Sequence, residues 1–395
     1  MLEIAYFSPL PPQRTGIADY SAELLPYLAE EAKITLFVSD ASAASPELQA
    51  RFPIREMTRF PRVRWRYDIA LYQMGNSLFH RDMYAVLKRY PGLTVLHDYT
   101  LHHFVACITA GEDDFPAYVR ELAYAMGRDG ATRAHAIRRG ESPTPLFDWP
   151  LNERVVDLSI GVLVHSDYVR RQLLAAHPMA RIRKVNQPIP LPHRRDRGAV
   201  RSRLGLPGDA FIVVTCGRVT PERCLDLSLK AFARFHQRRA NALWLIVGES
   251  TLGHRDWDEA VRSLGLQDAV HQVGYVEGLE TLYDYIAAGD VCVNLRHPTA
   301  GETSASVLRA MAVGRPVIVS DVGWYAELPD DGCLKLEHDR AKVETLAQVL
   351  LRLADDPERC QKMGERSRGY VAECCNPRAV AWTYLEFVRD ILSAL

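Results

Sequence analysis

The chain has 395 residues, 48% of them hydrophobic, and its 48 Lys and Arg nearly balance 49 Asp and Glu for a formal net charge of −1. That length exceeds what one hydrophobic core ordinarily supports, so two domains of roughly 150–200 residues each are expected. The near-neutral balance removes the overall basic charge that a nucleic-acid partner calls for, and no apolar run reaches the roughly 18–20 residues of a membrane-spanning helix.

The opening MLEIAYFSPLPP lacks the charged and apolar regions of a signal peptide, which points to a cytoplasmic protein. Eight cysteines (Cys107, Cys216, Cys224, Cys292, Cys333, Cys360, Cys374, Cys375) include no CxxC pair, so buried thiols are expected rather than metal ligands or disulfides.

In chain order, short β-branched runs alternate with longer segments of helical periodicity, the pattern of parallel sheets covered on both faces. The runs Leu2–Ser8, Lys33–Val38, Tyr67–Tyr72, Leu93–His97 and Ile160–His165 occupy the first half. Ala210–Cys216, Leu243–Gly248, Asp268–Val273, Val291–Leu295 and Pro316–Ser320 repeat the theme. Between them lies NQPIPLPHRRDRG (Asn186–Gly198), whose prolines and basic cluster interrupt regular structure and mark a linker. The expected domains are therefore residues 1–190 and 191–376. Pro377–Leu395 reads as an amphipathic helix returning to the first domain with Val380, Tyr384, Phe387, Val388 and Ile391 on one face. A long helical excursion from Asp113 to Arg139 suits either an acceptor-site wall or a solvated arm.

Doubly wound sheets bind ligands beyond the carboxyl ends of their strands, so chemistry is sought there. After the first run, Thr15–Gly16 precede a helix, where glycine admits close backbone approach and free N–H groups receive an anion. The fourth run ends in VLHDY, placing His97 and Asp98 where a histidine beside a carboxylate can exchange hydrogen bonds with a substrate hydroxyl. The same pair could begin a metal site, but nothing elsewhere completes one. In CGRVTPERCLDLSLKAF, Gly217, Arg218 and Arg223 lie between a strand and a helix. Two guanidiniums there suit one diphosphate, because the planar fork makes bidentate contacts with phosphate oxygens. Farther on, a helix from about Thr303 to Val313 would present backbone N–H groups from Glu302 to Ala305, with the Thr303 and Ser304 hydroxyls, as an anion site, and Glu302 could accept from a hydroxyl.

These residues resemble glycosyltransferase family 4, the large retaining family with the GT-B fold, over nearly the whole chain. CGRVTPERCLDLSLKAF is similar to the family's glycine–arginine turn, basic residue and helix, with Arg223 where lysine is usual and Cys224 where glycine follows. VGYV resembles the segment that frames the base, implying contacts from Tyr275 and Val276, while TGIADYS and VLHDY resemble the first-domain loop and histidine of one branch. LRAMAVGRPVIVSDVG resembles the helix and strand carrying the donor-binding glutamates. Those two glutamates fall at Gly301 and Arg309, and neither is acidic here.

The resemblance implies an α/β fold of GT-B type, two Rossmann-like doubly wound domains facing a central cleft, the first on the acceptor side and the second binding the donor. It implies metal-independent, retaining transfer from a UDP- or GDP-sugar to a hydroxyl of a glycan or lipid-linked glycan, as in cell-surface polysaccharide synthesis, without a separate cofactor. Arg218, Arg223 and the helix start at Glu302–Ser304 would stabilise the leaving diphosphate, Gly16 would approach the same phosphates, and His97 would touch the donor sugar. A nucleotide-sugar epimerase of the same architecture would need acidic groups for proton abstraction, and a silent sugar-nucleotide or glycan binder would fit the missing glutamates. RFPRVRWRY (Arg59–Tyr67) interleaves arginines with aromatics and suits either anionic headgroups at the inner membrane face or a covered sheet edge.

Overall fold

The computed structural model describes residues 1–250, 254–337 and 343–394. The chain divides into two compact units, one of Met1–Pro188, Ala300–Thr303 and Pro377–Leu395, the other of Ile189–Thr299 and Ser304–Asn376. Each is built on one parallel sheet.

The first sheet comprises β1 (Leu2–Phe7), β2 (Ala32–Val38), β3 (Ile54–Glu56), β4 (Ile69–Met74), β5 (Leu93–Leu96), β6 (Gly161–Val164) and β7 (Ile182–Lys184), in the order β3-β2-β1-β4-β5-β6-β7. The second comprises β8 (Phe211–Cys216), β9 (Ala242–Val247), β10 (Val270–Gly274), β11 (Val291–Asn294), β12 (Val317–Ser320) and β13 (Cys333–Leu336), in the order β10-β9-β8-β11-β12-β13. Strand order reverses between β1 and β4 and between β8 and β11, which are the switch points where such sheets open a crevice for ligands.

Continuous apolar strands form because both faces are buried. In the first unit Ile4, Tyr6, Leu36 and Leu71 pack towards one face while Ala5, Phe7, Phe37 and Tyr72 pack towards the other. The helix Pro377–Leu392 inserts Val380, Tyr384, Phe387, Val388 and Ile391 into the first of these cores, against Tyr20, Leu24 and Leu28 of the helix Gly16–Leu28. In the second unit Leu225, Leu229, Phe232 and Phe235 of the helix Leu225–Arg238 cover one face. Val307, Leu308 and Met311 of the helix Ala305–Val313 cover the other.

Three short strands, β3, β7 and β13, were not anticipated from sequence. Each is only three or four residues long, and charged residues dilute its pattern, as in IRE and IRK. The excursion after Asp113 is helical from Phe115 to Arg138 but broken at Gly127 (φ 62°, ψ −143°). Segment Arg59–Tyr67 folds as 3₁₀ turns over Met57–Arg62 and Arg64–Arg66, and Phe60 is core, with ring centroids 4.9 Å from Phe7 and 5.2 Å from Phe37. Tyr67 packs on Phe37 at 5.6 Å, leaving Trp65, 70% exposed, as the aromatic residue that meets solvent. Among the described residues no helix is long and apolar enough to cross a membrane, and all eight cysteines are free thiols.

Candidate functional site

In the first unit, residues beyond β1, β4, β5 and β6 supply the polar groups. Thr15 caps the helix Gly16–Leu28, its hydroxyl accepting from the Ile17 N–H at 3.4 Å. Gly16 is exposed, and a methyl group there would meet no protein atom within 4 Å, so packing alone does not demand glycine. Asp98 braces its neighbour, Oδ2 accepting from the Asn76 N–H at 2.7 Å, while Asn76 Oδ1 accepts from the Phe104 N–H at 2.8 Å.

His97 is half-buried. Its Nε2 lies 2.6 Å from Gln73 Oε1, its ring meets Tyr20 edge-on at 4.7 Å, and His165 stands 4.9 Å away. Burial, then His165 and His80 beside it, pushes the His97 pKa well below the ordinary 6.5. Burial lowers His165 and His80 to about 4 each. The site histidine is therefore a neutral imidazole at pH 7. His102 is fully buried, stacked on Trp149 and bonded through Nε2 to the Tyr118 hydroxyl at 2.7 Å, which is a packing role.

In the second unit the turn after β8 carries Gly217 (φ 97°), where any Cβ would fall 2.3 Å from Ser306 Oγ and 3.0 Å from Arg223 Nη2. Glycine is thus required by both conformation and contact. Arg223 is 8% exposed and donates from Nη1 to Asn294 Oδ1 at the end of β11. Asn294 Nδ2 in turn donates to the Cys216 carbonyl at 3.4 Å. Arg218 is exposed, with no hydrogen bond or ion pair to another described residue. Cys224 takes the left-handed conformation (φ 52°, ψ 39°) at the head of the helix Leu225–Arg238, which accounts for the glycine usual at that position in the resemblance.

The helix beyond β11 begins at Ala305, later than the Thr303 boundary expected from sequence, because Ser304 is its cap, with Oγ accepting from the Val307 N–H at 3.3 Å. The N–H groups of Ala305 and Ser306 are those that the first turn leaves without helical partners. Arg309, 5% exposed, lies on this helix, and its charge and that of Arg223 both act on the Cys216 thiol, whose pKa burial nevertheless raises to about 11. Gly217, Arg223, Ser306 and Arg309 therefore converge at the end of β8. Tyr275, 49% exposed, and Val276, which packs on the core, follow β10.

Residues 300–303 belong to the first unit. The Ala300 carbonyl accepts from the Thr100 N–H at 2.9 Å, its N–H donates to Glu302 Oε2 at 2.8 Å, and the Thr303 hydroxyl donates to Gln187 Oε1 at 3.1 Å. Gly301 (φ 79°) is buried, and a Cβ there would lie 2.5 Å from Tyr99 Cβ. A glutamate at 301 is disfavoured by both conformation and contact, so its absence is a property of this turn. Among the described residues no three His, Cys, Asp or Glu side chains gather as metal ligands.

The family described as "Glycosyl transferases group 1" matches residues 210–356. A D-inositol 3-phosphate glycosyltransferase of Catenulispora acidiphila is 29% identical over 294 residues, 68% of this chain and 66% of that protein. An alpha-D-kanosaminyltransferase of Streptomyces kanamyceticus is 26% identical over 43% of each chain. The matches thus span less than two thirds of the length of these curated relatives. Anabaena Alr3699/HepE in complex with UDP and glucose superposes with a TM-score of 0.68 at 14% identity, covering 98% of this chain and 100% of that one. Sucrose-phosphate synthase from Thermosynechococcus elongatus gives 0.69 at 20% identity, with complete coverage of both.

The chain has the GT-B fold. It is two Rossmann-like α/β domains, related in sequence to D-inositol 3-phosphate glycosyltransferases. Sequence reading missed Gln73, His165, Asn294 and Ser306. Gln73 and Asn294 sit inside or at the end of apolar strands, where a single buried amide is the available signal.

Gly301→Glu, which would restore the first family glutamate, is expected to destabilise the first unit by about 1–3 kcal/mol because a non-glycine residue is forced into a strained conformation. A melting temperature equal to that of the parent chain would contradict this account of the turn. The buried histidines also set a pH dependence. Their folded-state pKa values lie below 6.5, so the unfolded chain takes up protons first; stability is complete above about pH 6.5 and falls towards about pH 4. Melting curves between pH 8 and pH 4.5 should show this loss, and a flat profile would refute it.

Proposed function

We propose that the chain is a metal-independent glycosyltransferase that moves a sugar, with retention, from a UDP- or GDP-sugar to a hydroxyl of a glycan or lipid-linked glycan. The observation that carries this reading is the convergence at the β8–β11 switch point of Arg223, held on Asn294, with Gly217 and the open first turn of the helix Ala305–Val313. Preorganised donors of this kind are most effective where charge develops, here on a departing diphosphate. Arg218, exposed in the same turn as Gly217, adds a second cation. Gly16 leaves room for phosphate against the start of its helix, and Asp98, through Asn76, steadies the loop next to His97. In this reading His97 meets the donor sugar, Tyr275 and Val276 frame the base, and the Ser304 hydroxyl with the Ala305 N–H completes the phosphate contacts. An oxygen of the leaving phosphate takes the acceptor proton on the same face, so no protein carboxylate is needed as base. Glu302 and Thr303, engaged in their own turn, orient the neighbouring backbone. Arg309 replaces the ribose-reading carboxylate with a cation, so nucleotide recognition is rearranged.

A thermal-shift series with UDP, GDP and ADP tests the assignment, because a ligand that binds the folded chain alone raises its melting temperature. One diphosphate should stabilise the parent chain, and Arg218→Ala with Arg223→Ala should abolish the shift; a shift surviving both substitutions would remove the site. Departure at Gly301 and Arg309 favours a second reading, a binder without turnover. Binding of a sugar nucleotide with no hydrolysis or transfer, with or without acceptor extracts, would select it.

Membrane attachment is a separate part of the proposal. Exposed Arg59, Arg62, Arg64 and Arg66 flank exposed Trp65 in the sequence, a combination suited to anionic headgroups at the cytoplasmic face. Flotation with vesicles rich in anionic phospholipid should retain the chain and lose it with Trp65→Ser; no flotation of the parent chain would exclude attachment.

A further inference from the structure

Beneath His97 lies a buried polar network whose purpose packing does not explain. Gln73 is fully buried on β4, between apolar neighbours, and its Oε1 sits 2.6 Å from His97 Nε2. A carboxamide oxygen only accepts, so the imidazole proton must reside on Nε2 and Nδ1 is left with a lone pair. An amide can be turned end for end, and the structure places its oxygen, not its nitrogen, against the histidine. The hydroxyls of Tyr6 and Tyr384 stand near the same amide, whose nitrogen makes no hydrogen bond among the described residues. Tyr6 pairs with Ser21 at 2.9 Å, and Tyr384 pairs with Tyr20. Tyr20 also walls the His97 ring edge-on at 4.7 Å, and Ser8 extends the chain through Ser21 at 2.8 Å. The C-terminal helix thereby reaches the site histidine through Tyr384.

We infer that Gln73 is a positioning residue, fixing His97 as the Nε2–H tautomer so that Nδ1 serves as a hydrogen-bond acceptor for a hydroxyl of the donor sugar. This rests on the proposed function only for the identity of the hydroxyl. The tautomer itself depends on this chain alone. Burial and the neighbouring His165 and His80 keep the ring neutral, which is the state in which it can accept.

Long-range proton–nitrogen spectra of the uniformly labelled full chain test the tautomer directly, with the His97 signal assigned by its loss in His97→Asn. The parent chain should show His97 with Nε2 protonated and Nδ1 bare. Gln73→Leu should convert it to a mixture or to the Nδ1–H form, while Gln73→Glu, which retains an acceptor, should keep Nε2–H and add a carboxylate that raises the histidine pKa. Once a donor is identified, Gln73→Leu should lower kcat by about 10- to 100-fold, the scale on which loss of an outer hydrogen-bond partner acts. KM should stay near its parent value, and Gln73→Glu should recover most of the loss with a new acidic limb in its pH profile. Nδ1–H in the parent chain, or an unchanged tautomer in Gln73→Leu, would overturn the inference. Should Gln73→Leu fail to fold, the parent and Gln73→Glu spectra still decide it. The expected tautomer with no turnover of any donor would instead count against the proposed function and leave Gln73's role standing.

Discussion

A guanidinium taken out of water needs an acceptor, and the contact of Arg223 with Asn294 is the one on which the second unit's site depends. It ties the turn after β8 to the end of β11, the two strands that part at the switch point. Held there, Arg223 keeps its other terminal nitrogen beside Gly217, and a methyl group on Gly217 would overlap both that nitrogen and Ser306. The backbone of the turn, the cation and the first turn of the helix Ala305–Val313 thus form one packed unit. Positive charge preorganised in this way costs little further reorganisation when an anion arrives, which is why such sites stabilise developing phosphate charge.

The first unit solves the opposite problem, keeping a histidine uncharged next to solvent. Burial does most of this, and two further imidazoles discourage a proton. Around the site histidine Tyr6 pairs with Ser21 and Tyr20 with Tyr384, while the Gln73 oxygen faces the ring. This cluster also couples the last helix of the chain to the centre of the first sheet, since Tyr384 contributes both apolar surface and a hydroxyl. Acid sensitivity follows from the same arrangement, because every imidazole held neutral in the folded chain gains a proton more readily when unfolded.

Gly301 and Arg309 show how a departure from a family pattern acquires a physical meaning. Read as sequence, each is a missing carboxylate. In the structure Gly301 is a buried left-handed turn against Tyr99, and Arg309 is a buried cation whose charge reaches the same thiol as that of Arg223.

Much of the architecture was legible beforehand. Runs such as FIVVTC and VCVN are continuously apolar because strands covered on both faces have no solvent side, and their alternation with helical periodicity already implied two parallel sheets. The glycine–arginine turn and the helix after it were equally readable, since conformation and charge there are local. The short edge strands were not, because three residues such as IRK carry no period. Partners of the site residues were not legible either. Nothing in the order of residues says that Gln73 meets His97, that Asn294 holds Arg223, or that Tyr99 occupies the space a side chain at 301 would need. Those facts arise where strands distant in sequence lie side by side, and packing between them, absent from any single segment, determines which polar groups share a hydrogen bond.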